Sequence, residues 1–138
     1  MGQQQLLLII LGVIVVGIAV AVGITMFTDN AQSANRDAVT NDLVNLASRA
    51  QQHYRRPAAL GGGQGTFDGS TGGVGLTNIN QLTSKPTNAN GTYALGTVTA
   101  TNVILTGTGT ETGFNGTGSV AVEMTVWADS SKITGTTN

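Results

Sequence analysis

The feature that most constrains this chain is an uncharged apolar run over residues 6–27, LLLIILGVIVVGIAVAVGITMF. About 20 helical residues cross the hydrocarbon core of a bilayer, so this run is long enough to span it. The pattern after the run stays helical almost to Pro57, where a Gly/Thr-rich sequence of β character begins. This order predicts an α+β protein, in which one long N-terminal α-helix carries a small antiparallel sheet of three or four strands packed on it.

The chain divides into three segments. Residues 1–27 are predicted to form a hydrophobic membrane-spanning helix, residues 28–56 its amphipathic continuation, and residues 57–138 a Gly/Thr-rich β region, called the head from here on. A head of about 80 residues buries only a limited core. We therefore expect the head to be stabilised by packing against the helix or against neighbouring molecules.

Two simpler interpretations of the apolar run stay open. A cleaved secretory signal would place small residues such as Ala19 and Ala21 near a cleavage site, but the run exceeds the usual 7–15 apolar residues and no Lys or Arg precedes it. The run could also be a single membrane anchor without any further role, since it is long enough to span the bilayer.

The second half of the predicted helix has one apolar stripe. Its members recur at steps of three and four and are expected to pack the helix on the sheet: Val39, Leu43, Leu46, Ala50 and Tyr54. His53, Arg55 and Arg56 follow at the C-terminal end, where positive charge complements the helix dipole. Gly, Thr, Asp and Asn lower helix propensity over residues 23–30, so a bend or a locally melted stretch is expected there.

Strands are predicted only beyond the Gly-rich loop of residues 61–75. Residues 93–99 and 102–108 are typical of a hairpin with Ala100 and Thr101 at its turn. Apolar and polar residues alternate over residues 119–127, the strongest strand signal in the chain. Residues 132–136 favour a last strand, and residues 76–82 a short turn of helix or strand.

No pattern points to catalysis. The formal net charge is −1 with 9% charged residues, so charge gives no basis for nucleic-acid binding, and cysteine is absent. His53 is interpreted as a helix-end residue rather than a base or ligand. The glycines at 61–65 lack the Gly-Lys-Ser/Thr of a phosphate loop, and Asp68 lies in a spacing that fits a flexible turn better than a calcium loop. We expect no enzymatic activity, no cofactor and no metal.

An apolar N-terminal helix with an amphipathic second half, a Gly-rich loop and a small antiparallel sheet resembles type IV pilins and pilin-like proteins (pseudopilins). The resemblance covers the whole architecture, and its specific part is about the first 27 residues. It implies a membrane-inserted precursor whose leader is removed after a glycine, and a mature subunit that is methylated and assembles with copies of itself into an extracellular helical filament.

The resemblance also assigns residues and partners. Gly2 would be the leader-peptidase glycine, or Met1 would already be the mature first residue, which places Gln5 and Leu6 where the family has its glutamate and the following apolar residue. Gln5 lacks the family's charge, so Gln3, Gln4 and Gln5 would substitute by hydrogen bonds. The implied partners are a prepilin peptidase, the inner-membrane assembly machinery and membrane lipid before assembly; no nucleic acid is expected.

The residues support assembly independently of the resemblance. Small residues interrupt the bulky apolar run and permit close approach of helices, most clearly as the small-xxx-small pair Gly17 and Ala21. The full set of expected subunit-packing residues is Gln5, Leu6, Gly12, Gly17, Ala21 and Gly23.

Two sequons lie in predicted turns of the head. Asn90 and Asn115 each precede Gly-Thr and are possible glycosylation sites if the head is outside the cell. The sequence therefore favours a filament subunit, for which cell adhesion is one expected role. It leaves open a minor or secretion-system pseudopilin, or a membrane-anchored extracytoplasmic adhesion or binding module that never polymerises.

Overall fold

The computed structural model describes residues 2–137, as one long helix followed by a small sheet. Helix α1 spans Gly2–Arg55. Two short 3-10 helices follow, Ala58–Leu60 and Ile79–Gln81, and then four strands: β1 (Gly91–Val98), β2 (Asn102–Thr112), β3 (Ser119–Trp127) and β4 (Ser131–Thr137). The sheet packs on α1 mainly through β2 and β3. The predicted α+β class is confirmed.

Helix α1 is continuous over its 54 residues, about 80 Å at about 1.5 Å per residue. The locally melted stretch expected at residues 23–30 is wrong, because every one of these residues is helical, whereas a bend there stays a prediction. The hydroxyls of Thr25 and Thr28 donate to the carbonyls of Val22 and Ile24 at 2.8 and 3.0 Å, which satisfies these polar groups on the helix itself.

The four strands form an antiparallel sheet in sequence order. The bounds of β3 are those that the alternation predicted, and the turn at Ala100 and Thr101 joins β1 to β2. The hairpin strands are displaced from the prediction, since β1 begins two residues earlier and β2 continues to Thr112. The predicted last strand is β4, and the predicted turn at residues 76–82 contains the 3-10 helix Ile79–Gln81.

One core joins the second half of α1 to the sheet. The residues of the apolar stripe pack there: Val39, Leu43, Leu46 and Ala50 are buried, and Tyr54 is partly buried against them. Alternate residues of β2 and β3 face this stripe, among them Val103, Leu105, Val120, Val122, Met124 and Val126. Cross-strand neighbours such as Leu105 and Met124 form apolar rows under the helix.

A glycine in β2 sets how closely the sheet approaches the helix. Gly107 lies between Tyr93 of β1 and Val122 of β3 in one cross-strand row. A methyl group added at Gly107 would lie 2.6 Å from Cγ1 of Val39 and 3.2 Å from the Tyr93 ring. The missing side chain therefore leaves a notch that Val39 fills.

Polar contacts extend this packing toward the apolar half of the helix. The Asn35 amide donates to the Asn90 carbonyl at 2.8 Å, and its oxygen accepts the backbone N–H of Thr110 at 3.1 Å. Farther along, the Gln32 amide approaches the Gly113 carbonyl at 3.4 Å. Residues later in β2 contact residues earlier in α1, so the strand runs antiparallel to the helix. The head thus covers one side of α1 from about residue 32 to its C-terminal end.

The Gly-rich loop of residues 61–75 caps the C-terminal end of α1. The backbone N–H groups of Gly63 and Gly65 donate to the carbonyls of His53 and Tyr54, both at 2.8 Å. Phe67 is fully buried, and its ring centroid lies 4.8 Å from that of Tyr54. The loop supplies donors that a free helix end lacks and adds an aromatic pair to the core.

Candidate functional site

The first half of α1 is exposed on all sides. The large apolar side chains of residues 6–27 are between 53% exposed at Ile14 and 79% exposed at Phe27. None of residues 2–22 is buried, and the first buried helix residue is Gln32. By length and composition α1 is a candidate membrane span, compatible with membrane insertion. Such a surface needs lipid or protein to cover it.

The small residues expected to pack subunits lie in this exposed half. A methyl group added at Gly12, Gly17 or Gly23 would meet nothing within 4 Å, and Ala21 is exposed. Gln5 and Leu6 are also exposed, near the start of the helix. The fold of the single chain therefore does not use these positions for its own packing. Gly2 is likewise open, whereas Met1 lies outside the described residues.

A second site lies where α1 meets the segment before β1. One carboxylate oxygen of Asp42 accepts the side-chain amides of Asn88 and Asn90 at 2.9 Å each and the Tyr93 hydroxyl at 2.5 Å. Burial raises the pKa of Asp42, but these hydrogen bonds outweigh it and leave the pKa below its ordinary value. Burial and the neighbouring carboxylate raise the pKa of Tyr93. The cluster fastens the segment to the helix.

This Asp42 cluster borders an open cleft of about 320 Å³. Arg49 and Lys85 lie on its wall, and the Arg49 guanidinium donates to the Leu82 carbonyl at 2.9 Å. Each hydrogen bond of Asp42 joins parts of the same chain, so the arrangement has a structural use that needs no ligand. Among the described residues no group of three His, Asp or Glu side chains is placed to hold a metal.

His53 lies in the last turn of α1, as predicted, but it does not contribute the positive charge expected there. Its side chain is buried, 6% exposed, and neither ring nitrogen has a hydrogen-bond partner in the described part of the chain. Burial and the adjacent positive charge of Arg56 both lower the pKa of His53. It is therefore neutral at pH 7 and adds no charge to the helix end. Only the expected charge was wrong, because His53 lies on the buried face, under the loop at Gly63.

The two sequons differ in their surroundings. The Asn90 side chain is half-buried. Its amide nitrogen, the atom to which an N-linked glycan would be attached, donates to Asp42. Asn115 is exposed in the turn between β2 and β3, where its oxygen accepts the backbone N–H of Thr117 at 2.9 Å. Of the two, Asn115 is the more exposed. Asp68 is exposed, and its carboxylate accepts the Ser70 N–H in a local turn.

Sequence reasoning missed three polar residues that face the sheet. Gln32, Asn35 and Asp42 contact the head but were not assigned a role. The signal for two of them was present, because Gln32 and Asn35 continue the three-and-four spacing of the apolar stripe ahead of Val39. They were missed because the stripe was defined by apolar residues alone.

Comparisons with protein-family models, with curated proteins and with solved structures found no match to this chain.

Proposed function

We propose that this protein is a pilin-like structural subunit, whose residues 6–27 lie in the membrane before assembly and in the core of a helical filament afterwards. The observation that carries the proposal is the exposure of the large apolar side chains of this half of α1, between 53% and 79%, beside a folded head. Within residues 2–137 no other part of the chain covers its apolar side chains. A membrane covers them in the precursor, and copies of the same helix cover them in a filament.

The residue types of the exposed half suit packing among helices. An apolar helix gains little hydrophobic free energy when it moves from lipid to a helix bundle. Its association with other helices therefore depends on close van der Waals contact. Gly12, Gly17 and Ala21 allow backbones to approach, and none of them is needed by the fold of its own chain. Gln5 near the start of the helix is uncharged, so burying it among copies costs less than burying an unpaired carboxylate.

The head supports the same arrangement by covering only one side of α1. The opposite side of residues 28–56 stays exposed, including Asn41, Val44 and Asn45. In the proposed filament the apolar helices bundle at the centre, and the heads form an extracellular sheath whose Gly/Thr-rich loops meet neighbouring heads. A prepilin peptidase and membrane assembly machinery would process and polymerise the precursor.

The direct test is negative-stain electron microscopy of material sheared from expressing cells, with mass spectrometry of the subunit's N-terminus. We expect thin filaments that contain this chain, with a processed and methylated first residue. A protein found only as membrane-bound monomers with Met1 retained contradicts the proposal, and indicates an anchored module that never polymerises.

A pair of variants separates helix packing from membrane anchoring. Gly17→Leu fills the small-residue surface at an exposed position where an added methyl group meets nothing within 4 Å, so membrane insertion and head folding should be unchanged. Val15→Leu is the matched control, because it lies about 200° around the helix from Gly17 at about 100° per residue and is already bulky. We expect Gly17→Leu alone to reduce filament yield. Equal yields from both variants would refute the packing argument.

A further inference from the structure

The head has an exposed aromatic residue at the end nearest the apolar half of α1. Phe114, 48% exposed, lies in the turn of residues 113–118 between β2 and β3. This turn is held to the helix by two contacts: Gln32 approaches the Gly113 carbonyl at 3.4 Å, and the Arg36 guanidinium lies 6.0 Å from the centre of the Phe114 ring. The ring and the arginine therefore form one patch beside the helix.

The height of this patch above the apolar run follows from helix geometry. Gln32 lies five residues after Phe27, about 7.5 Å along the axis at about 1.5 Å per residue. The Arg36 side chain inclines toward the helix N-terminus, as side chains of α-helices do, and so toward the apolar run. The headgroup layer on each side of a bilayer is about 5–7 Å deep. With residues 6–27 in the hydrocarbon, the patch lies at the outer edge of the headgroups.

We propose that Phe114 and Arg36 dock the head on the lipid headgroup layer while α1 spans the membrane. Phenylalanine is among the residues whose apolar side chains enter the boundary between headgroups and acyl chains in interfacial segments, and a guanidinium binds lipid phosphate by paired hydrogen bonds. Residues 113–118 thus fix how the head sits on the membrane. The inference depends on α1 being a membrane span and not on filament assembly, so it holds or fails independently of the proposed function.

Another exposed apolar residue of the head lies too far from the membrane to share this role. Leu60 is 71% exposed but follows the C-terminal end of α1. Arg55, the last helix residue, lies about 42 Å beyond Phe27 along the axis. Leu60 is therefore a matched control, an exposed apolar side chain at the opposite end of the head.

The test uses the full chain in phosphatidylcholine and phosphatidylglycerol vesicles that contain a lipid with a nitroxide on its headgroup. Trp127 is the only tryptophan, so Trp127→Phe provides a background for Phe114→Trp or Leu60→Trp. We expect the nitroxide to quench tryptophan at position 114 at least about twofold more than at position 60, because the headgroup layer is only about 5–7 Å deep.

A second labelling scheme guards against variants whose new tryptophan disturbs the fold. The chain has no cysteine, so Phe114→Cys and Leu60→Cys can each carry one small fluorescent label with Trp127 retained. Equal quenching at both positions in both schemes overturns the proposal. So does protection of position 114 that rises with the protein-to-lipid ratio without headgroup quenching, since a second copy of the chain then covers the ring.

Discussion

Adding one methyl group at Gly107 should destabilise the contact between the helix and the sheet. The new Cβ of Gly107→Ala would lie 2.6 Å from Cγ1 of Val39, closer than nonbonded carbon atoms approach. Val39 cannot easily rotate away, because a β-branched residue in a helix has one strongly preferred rotamer. Overpacking of this kind costs about 1–3 kcal/mol. Alanine recovers about 0.5–1 kcal/mol of the entropy that glycine loses on folding.

The expected net loss is about 1–2 kcal/mol, which corresponds to a fall in Tm of about 5–10 °C for a domain of this size. The assay is thermal unfolding of the full chain in detergent micelles, followed by the fluorescence of Trp127, which lies in β3. Gly135→Ala is the matched control in β4, since a methyl group there meets its nearest atom at an ordinary 3.4 Å. That variant should be as stable as the unaltered protein or slightly more stable.

A double-mutant cycle identifies the atoms responsible. Val39→Ala removes the opposing methyl groups and should cost about 2 kcal/mol by itself, through lost burial and a small cavity. Combined with Gly107→Ala, the total loss should be smaller than the sum of the single losses by at least about 1 kcal/mol. Additive losses, or a Gly107→Ala variant as stable as the unaltered protein, would refute the notch as the reason for glycine at this position.

Three further predictions concern polar residues of the helix–head contact. The pKa of His53 is lower in the folded state than in the unfolded state, where it is about 6.5. The head should therefore keep its full stability above about pH 6.5 and lose part of it as the pH falls through the folded-state pKa. His53→Phe should remove this loss in denaturation curves measured between about pH 7 and pH 5. Asp42→Asn removes the charge beside Tyr93, so the pKa of this tyrosine should fall in an ultraviolet titration, and an unchanged titration would contradict the contact. Asn35→Ala should lower the free energy of unfolding in urea by about 1–3 kcal/mol, whereas Asn41→Ala, on the exposed side, should change it little.

The elements with strong periodic signals were predictable because each signal reports burial of one face. The alternation over residues 119–127 fixed β3 to the residue, since half of its side chains face the helix. The stripe from Val39 to Ala50 predicted the buried side of α1 in the same way. Neither signal depends on which distant residue makes the contact.

Predictions from local propensity were less accurate. Residues 23–30 carry weak helix formers, yet the helix continues through them. The penalty is below about 1 kcal/mol for each such residue, whereas a break requires lost backbone hydrogen bonds and a second, costly helix nucleation. The apolar and amphipathic halves on either side outweigh the local preference.

The sequence by itself determined the apolar span, the helix that continues it and the strand-forming character of the head, because length, charge and periodicity are properties of neighbouring residues. Only the tertiary structure decided which polar residues are buried and which glycines are needed. Burial under residues 61–75 lowers the pKa of His53, and Asp42 gains three donors from residues 88–93. Gly107 faces Val39, far away in the chain. These contacts join residues that are apart in the sequence and meet only when the head packs on the helix. Local sequence patterns do not show which of them will meet.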